Sequence, residues 1–319
     1  MEIIIEYPKL VNLYSFISNL SQWNDLVCIP ERKKEWIKRT GKLNKKDVDA
    51  LNRFSRLFQE SELNIENIFL YDNPQYIWRI LSKKIGCEKT KELRDIFALF
   101  KERFNVIWSK DINKIKRIEQ EFSKQKNLLN KNLNIIKNLC GIPQNRLSTE
   151  IRVRLILSSN IKEESQGFAY KNIIILECSG WPMKKINYLI NNILLHESFH
   201  ILFKQNKKLF KRFQGLVNKN RQILDKHFLK TWGAEIVFEE ALVSSFIPEG
   251  YLTEKISGQN TINEAKSKLR SKKITGLERL RYQSAIDNYD IAKEYVEGWK
   301  VLDTRLLNHV ISKLYSNIK

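Results

Sequence analysis

The residues best suited to chemistry are His196-Glu197-Ser198-Phe199-His200, an H-E-x-x-H run inside the stretch Ile186 to Gln205. On an α-helix each residue advances by about 100°. His200 then lies about 40° around from His196 and one turn along, so both imidazoles can reach one cation. Glu197 falls in the same arc, displaced enough to face a water on that cation rather than the cation itself. Two imidazole ligands and a carboxylate base are the parts needed to activate water for attack on a carbonyl. The chain holds only 4 His in 319 residues, so two at this spacing with an acid between them form a specific signal. The competing reading is a histidine pair satisfied by local hydrogen bonds on a core helix. That reading must also find partners for the adjacent Glu, which is costly to bury alone.

The surrounding sequence supplies the helix. Ile186, Leu189, Ile190, Ile193 and Leu194 precede the motif at helical spacing, Ile201, Leu202 and Phe203 follow it, and no Pro or Gly interrupts from Met183 to Asn206. Two histidines leave a catalytic zinc one protein ligand short. His227 and His309 are the only other histidines, and Cys178 lies upstream. Downstream, Trp232 to Ile247 (WGAEIVFEEALVSSFI) reads as a helix with small residues for close packing, ending at Pro248 and Gly250. Glu239 and Glu240 sit at its centre on a largely apolar segment. Burying two acids there costs free energy unless a positive charge compensates, and a cation held by the first helix supplies one. On this reading either acid is the third ligand.

The two helices together resemble the gluzincin metallopeptidases, in which H-E-x-x-H is joined by a downstream Glu. The resemblance covers roughly Ile151 to Glu249. It implies a zincin-like domain binding Zn2+ through His196, His200 and Glu240, with Glu239 as a flanking acid and Glu197 as general base. It implies peptide or protein as substrate. It also implies a small sheet before the motif helix, with one edge strand pairing to extended substrate backbone; Gly167 to Glu177 is the candidate. A Tyr or His from the C-terminal region would donate to the oxyanion, and Tyr282, Tyr289, Tyr295 and His309 are the choices, Tyr282 and Tyr289 on one helix face. The thermolysin-like group places an Asp one turn beyond the ligand Glu to orient an imidazole. Here that position is Ser244, a departure from the pattern.

The rest of the chain reads as scaffold. Residues from Tyr7 to Gly141 form a series of amphipathic helices. Asn44 caps one, Asn73-Pro74 starts another that ends at Gly86, and Asp111 opens a long one that closes at Gly141. Ile151 to Leu157 alternates as a strand. Gly167 to Glu177 is a second, with a turn near Lys171-Asn172, and Ser179 to Pro182 breaks the chain before the motif helix. Helical spacing returns from Leu277 to Leu314. The expected fold is mainly α with a small sheet (α+β), divided into a helical domain at 1–146 and a catalytic domain at 147–319.

Composition narrows the partners. The net charge is +20, from 56 basic and 36 acidic residues. This invites nucleic acid as a partner, yet the lysines are spread along the chain and no recognised binding motif gathers them. A solvated basic surface is the plainer reading, with the densest patch at Lys266 to Lys273. The alternative function is a non-enzymatic zincin-fold protein that binds a partner or nucleic acid through this surface. Glu197 argues against it, because a structural metal site needs no base. Cys28, Cys87, Cys140 and Cys178 form no C-x-x-C and read as free buried thiols. The start, MEIIIEYPKL, lacks a basic n-region, and no apolar run approaches the roughly 20 residues of a membrane helix. The expectation is a cytoplasmic protein without a membrane span.

Overall fold

Local chemistry starts and stops the first helices as their sequences predict. Asn44 accepts from the Asp47 amide while Asp47 accepts from the Asn44 amide, a reciprocal cap that opens helix α3 (Lys45–Gln59). Asn73 accepts from the amides of Gln75 and Tyr76 to open α4 (Pro74–Ile85), and Gly86 follows its end with φ +86°. The structure, a computed structural model, describes residues 2–23, 30–60, 65–71, 73–143, 150–157, 167–178, 186–228, 233–271, 274 and 276–318.

Contacts group the chain into two compact units that interleave in sequence, where the sequence reading divides it once. One unit comprises Ile3–Lys124 and Arg152–Ile186. It contains α1 (Lys9–Ser21), α2 (Pro30–Thr40), α3, α4 and α5 (Cys87–Lys124). Its core is aromatic: Phe54, Phe58 and Phe69 pack around Tyr14, which stacks on Phe69 at 4.5 Å, and Phe97 stacks on Phe69 in turn. A four-stranded sheet in the order β1-β2-β4-β3 completes it, from β1 (Glu2–Glu6), β2 (Glu150–Ile156), β3 (Gly167–Tyr170) and β4 (Ile173–Glu177). β2 runs parallel to β4, with Arg152 opposite Ile173. β3 and β4 form an antiparallel hairpin through Lys171-Asn172, as the turn signal predicts. Only β3 of that hairpin is an edge strand; β4 is internal. Asn12 ties α1 to the sheet by donating to the Leu155 carbonyl at 3.2 Å and accepting from the Leu157 amide at 2.7 Å.

Two expectations need correction in this unit. Asp111 opens no helix: α5 runs unbroken through it for 38 residues, because neither Gly nor Pro interrupts, and Asp111 pairs with Arg39 at 2.5 Å instead of capping. The chain breaks later, at Gln125, before α6 (Lys126–Leu139). The start of the chain, read only for targeting, contributes β1; Ile3-Ile4-Ile5 carries the β-branched signal for it. Cys87 is exposed as the first residue of α5, whereas Cys140 and Cys178 are buried. Cys28 lies outside the described residues.

The other unit comprises Met1–Glu2, Gln125–Ile151 and Asn187–Lys319. The motif stretch enters as α7 (Ile186–Tyr188), widens into a π-helical segment (Leu189–Leu194) and continues as α8 (Leu195–Gln205). Such π insertions cluster at functional sites because they re-aim the residues that follow. Around α8 pack α6, α9 (Lys207–Phe228) and α10 (Ala234–Ser244), and α10 also packs on α13 (Gly276–Asp287) and α15 (Thr304–Ile318). Short helices α11 (Tyr251–Ser257), α12 (Thr261–Leu269) and α14 (Tyr289–Glu297) complete the unit. Tyr282 and Tyr289 do not share a helix: Tyr282 is on α13 and Tyr289 begins α14, after a break at Asn288. Lys272, Lys273, Trp232 and the Ser179–Pro182 break lie outside the described residues. No helix among the described residues is long and apolar enough to cross a membrane.

Candidate metal centre

Helix α8 is buried on nearly every side. Leu195, Phe199, Leu202 and Phe203 are fully buried, and His196, Glu197 and His200 are buried with them. Packing against α10 therefore forces the polar groups of both helices to satisfy one another. Small residues make the approach possible: Ala241 and Ser244 on α10 are fully buried.

Each imidazole is held by its Nδ1. His196 Nδ1 donates to the Ile247 carbonyl at 2.9 Å, and His200 Nδ1 donates to Glu239 Oε1 at 2.7 Å. The Ile247 carbonyl is delivered by a tight return after α10, in which the Leu252 amide bonds the Phe246 carbonyl at 2.9 Å. Gly250 permits that return; an added Cβ would collide with the Ser245 carbonyl. With Nδ1 of each ring turned to its own acceptor, the two Nε2 atoms face each other at 3.0 Å. The Glu240 carboxylate closes the triangle, 3.2 Å from His200 Nε2 and 3.5 Å from His196 Nε2. Donors sharing a tetrahedral zinc at bond lengths of about 2.0–2.1 Å stand about 3.3 Å apart. Among the described residues, His196, His200 and Glu240 form the one cluster that could hold a metal ion.

The two acids of α10 thus divide their roles. Adjacent helical residues point about 100° apart, so they cannot both face the Nε2 pair. Glu240 does; Glu239 reaches round to the far nitrogen of His200 and also accepts from Lys204 Nζ at 2.8 Å. A carboxylate on the remote nitrogen orients an imidazole and raises its basicity. The acid on His200 Nδ1 is thus the residue before Glu240, and Ser244 Oγ has no hydrogen-bond partner. Glu239→Gln is expected to weaken zinc binding by about 10–100-fold without abolishing it, as measured by competition with a chromophoric chelator.

Charge follows the geometry. Burial pushes the Glu197 carboxyl above its ordinary range; Glu240 adds to this, while His196, His200 and Arg281 act against it. Burial acts in the same upward direction on Glu240, but the two imidazoles outweigh it and hold that carboxyl well below its usual range. At His200 desolvation favours the neutral ring, yet Glu239 and Glu240 prevail and raise its pKa to about 10. Four carboxylates meet here (Glu197, Glu239, Glu240 and Glu249) against two cations, Lys204 and Arg281.

The other candidates are placed elsewhere. Tyr289 donates to Glu254 at 2.8 Å and Tyr295 to Asp303 at 2.6 Å, so both hydroxyls are committed. Tyr282 has Glu249 and the Tyr188 hydroxyl among its neighbours. His309 is half-buried on α15 and outside the cluster. The Cys178 thiol turns to the Ile156 carbonyl at 3.7 Å. His227 belongs to α9, and its side chain lies outside the described residues. Arg281 has no counterpart in the sequence reading: one Arg among 56 basic residues carries no pattern. Comparison with family models, curated proteins and solved structures finds no match.

Proposed function

We propose that the protein is a zinc-dependent metallopeptidase of the gluzincin type. The observation that carries this reading is the convergence of two imidazole Nε2 atoms and one carboxylate within 3.0–3.5 Å, beside a second buried carboxylate, Glu197. When bound, zinc supplies a Lewis acid that polarises a carbonyl and lowers the pKa of water. Glu197 takes the proton of the attacking water and passes it to the leaving amine. Burial raises its pKa, which favours holding the proton between the two halves of that transfer. Glu239 and the Ile247 carbonyl hold the two rings by their Nδ1 atoms, so that both Nε2 atoms are aimed at the cluster. A structural site would need the ligands but not Glu197, which disfavours a purely binding role.

The test is zinc stoichiometry together with hydrolysis of a peptide pool. One zinc per chain is expected, with hydrolysis lost on chelation and restored on adding zinc back. Hydrolysis indifferent to chelator would overturn the reading.

The charge balance also sets the pH dependence. With its pKa raised to about 10 before metal binds, His200 carries a proton at neutral pH that zinc must displace. Apparent zinc affinity is expected to rise about tenfold per pH unit below that value and to flatten above it. Calorimetry in buffers of different ionisation enthalpy would register the released proton; a pH-independent affinity between pH 6 and pH 8, about neutrality, would contradict it.

A further inference from the structure

Arg281 enters the cluster from α13, an element that supplies none of the proposed ligands. Its Nη2 donates to Glu249 Oε1 at 2.7 Å, while its Nε stands 3.9 Å from Glu240 Oε2, beyond hydrogen-bond range. Two polar atoms at this point are shielded from solvent and have no hydrogen-bond partner: Arg281 Nε, a donor, and Glu249 Oε2, an acceptor. The Glu249 side chain is only 9% exposed, whereas Arg281 keeps 28%. Buried polar groups are paired as a rule. Arg–carboxylate pairs frequently close in a two-pronged contact. Arg281 does neither. It is held by one bond, its charge faces Glu240 and Glu197, and part of its surface is open.

We propose that Arg281 is the anion-binding group of this centre, donating to a negatively charged oxygen that arrives beside Glu240, with Glu249 as the residue that positions the guanidinium. The proposal rests on the metallopeptidase reading. It gives Arg281 the role that the sequence assigned to a tyrosine or His309, two of which the structure commits elsewhere. A guanidinium stays charged at any working pH and presents a rigid fork, so it can meet developing negative charge without reorganising. That oxygen comes either from the attacked carbonyl or from a carboxylate of the substrate.

The test uses the full chain loaded with cobalt in place of zinc and titrated with acetate, read by the visible cobalt spectrum. Arg281→Gln is expected to leave cobalt uptake intact and to weaken acetate by about tenfold or more. Arg281→Lys keeps the charge but loses the fork, and about a threefold loss is expected; it carries the test if the Gln variant does not fold. Glu249→Gln is expected to fall between the wild type and Arg281→Gln. Acetate affinity equal to wild type in both Arg281 variants, or no acetate response in the cobalt-loaded wild type, overturns the proposal while leaving the metal site standing. No cobalt uptake at all overturns the metallopeptidase reading and this proposal with it. Peptide kinetics separate the two sources of charge. A fall in kcat at constant KM assigns Arg281 to the oxyanion, and a rise in KM at constant kcat assigns it to a substrate carboxylate.

Discussion

Glu197→Gln is expected to lower peptide hydrolysis by about 10²–10⁴-fold, the usual contribution of a positioned general base, with zinc content unchanged. The amide keeps the volume and most of the packing of the carboxylate, so the fully buried α8 neighbours Leu195 and Phe199 lose no contacts. It cannot take up a proton. Desolvation is the largest influence on Glu197 and makes the neutral form cheaper than it is in water, so the variant is expected to fold at least as well as the wild type. The pattern of full zinc, intact structure and lost turnover separates a base from a ligand. Full activity in the variant would remove Glu197 from the mechanism.

Glu240→Ala is expected to do the opposite: to weaken zinc by more than about 100-fold, beyond the range for an orienting residue. Among the described residues, Glu240 is the one acid whose carboxylate oxygens lie 3.2 Å and 3.5 Å from the two Nε2 atoms. Removing it leaves His196 and His200 facing each other with no anion between them and Arg281 without one of its carboxylate neighbours. Turnover should vanish with the metal. The comparison with Glu239→Gln is informative because the two residues are adjacent in sequence and differ only in which face of α10 they occupy. Equal losses of affinity in both variants would mean that the acids share one role, contrary to the division seen here.

The parts of this site that obey local rules were legible in the sequence. The histidine spacing follows from the pitch of a helix, and the acid pair stood out because carboxylates are costly on an apolar segment. Caps at Asn44 and Asn73 were visible for the same reason: their chemistry is complete within four residues. What escaped depends on partners distant in sequence. Asp111 looks like a helix start until Arg39 is seen to claim it. Ile3 to Ile5 become a strand only because β2 lies alongside. The orienting acid was sought one turn past Glu240, whereas the protein uses the preceding residue for His200 and a backbone carbonyl, at Ile247, for His196. A carbonyl leaves no trace in a residue pattern, and neither does one arginine on a basic chain.

The most direct measurement of the central claim is anomalous diffraction at the zinc edge from crystals of the zinc-loaded protein. The account predicts a single strong peak about 2.0–2.2 Å from His196 Nε2, His200 Nε2 and a Glu240 carboxylate oxygen, with Glu239 still on His200 Nδ1. A peak coordinated by Glu239 in place of Glu240, or no peak between α8 and α10, would contradict it.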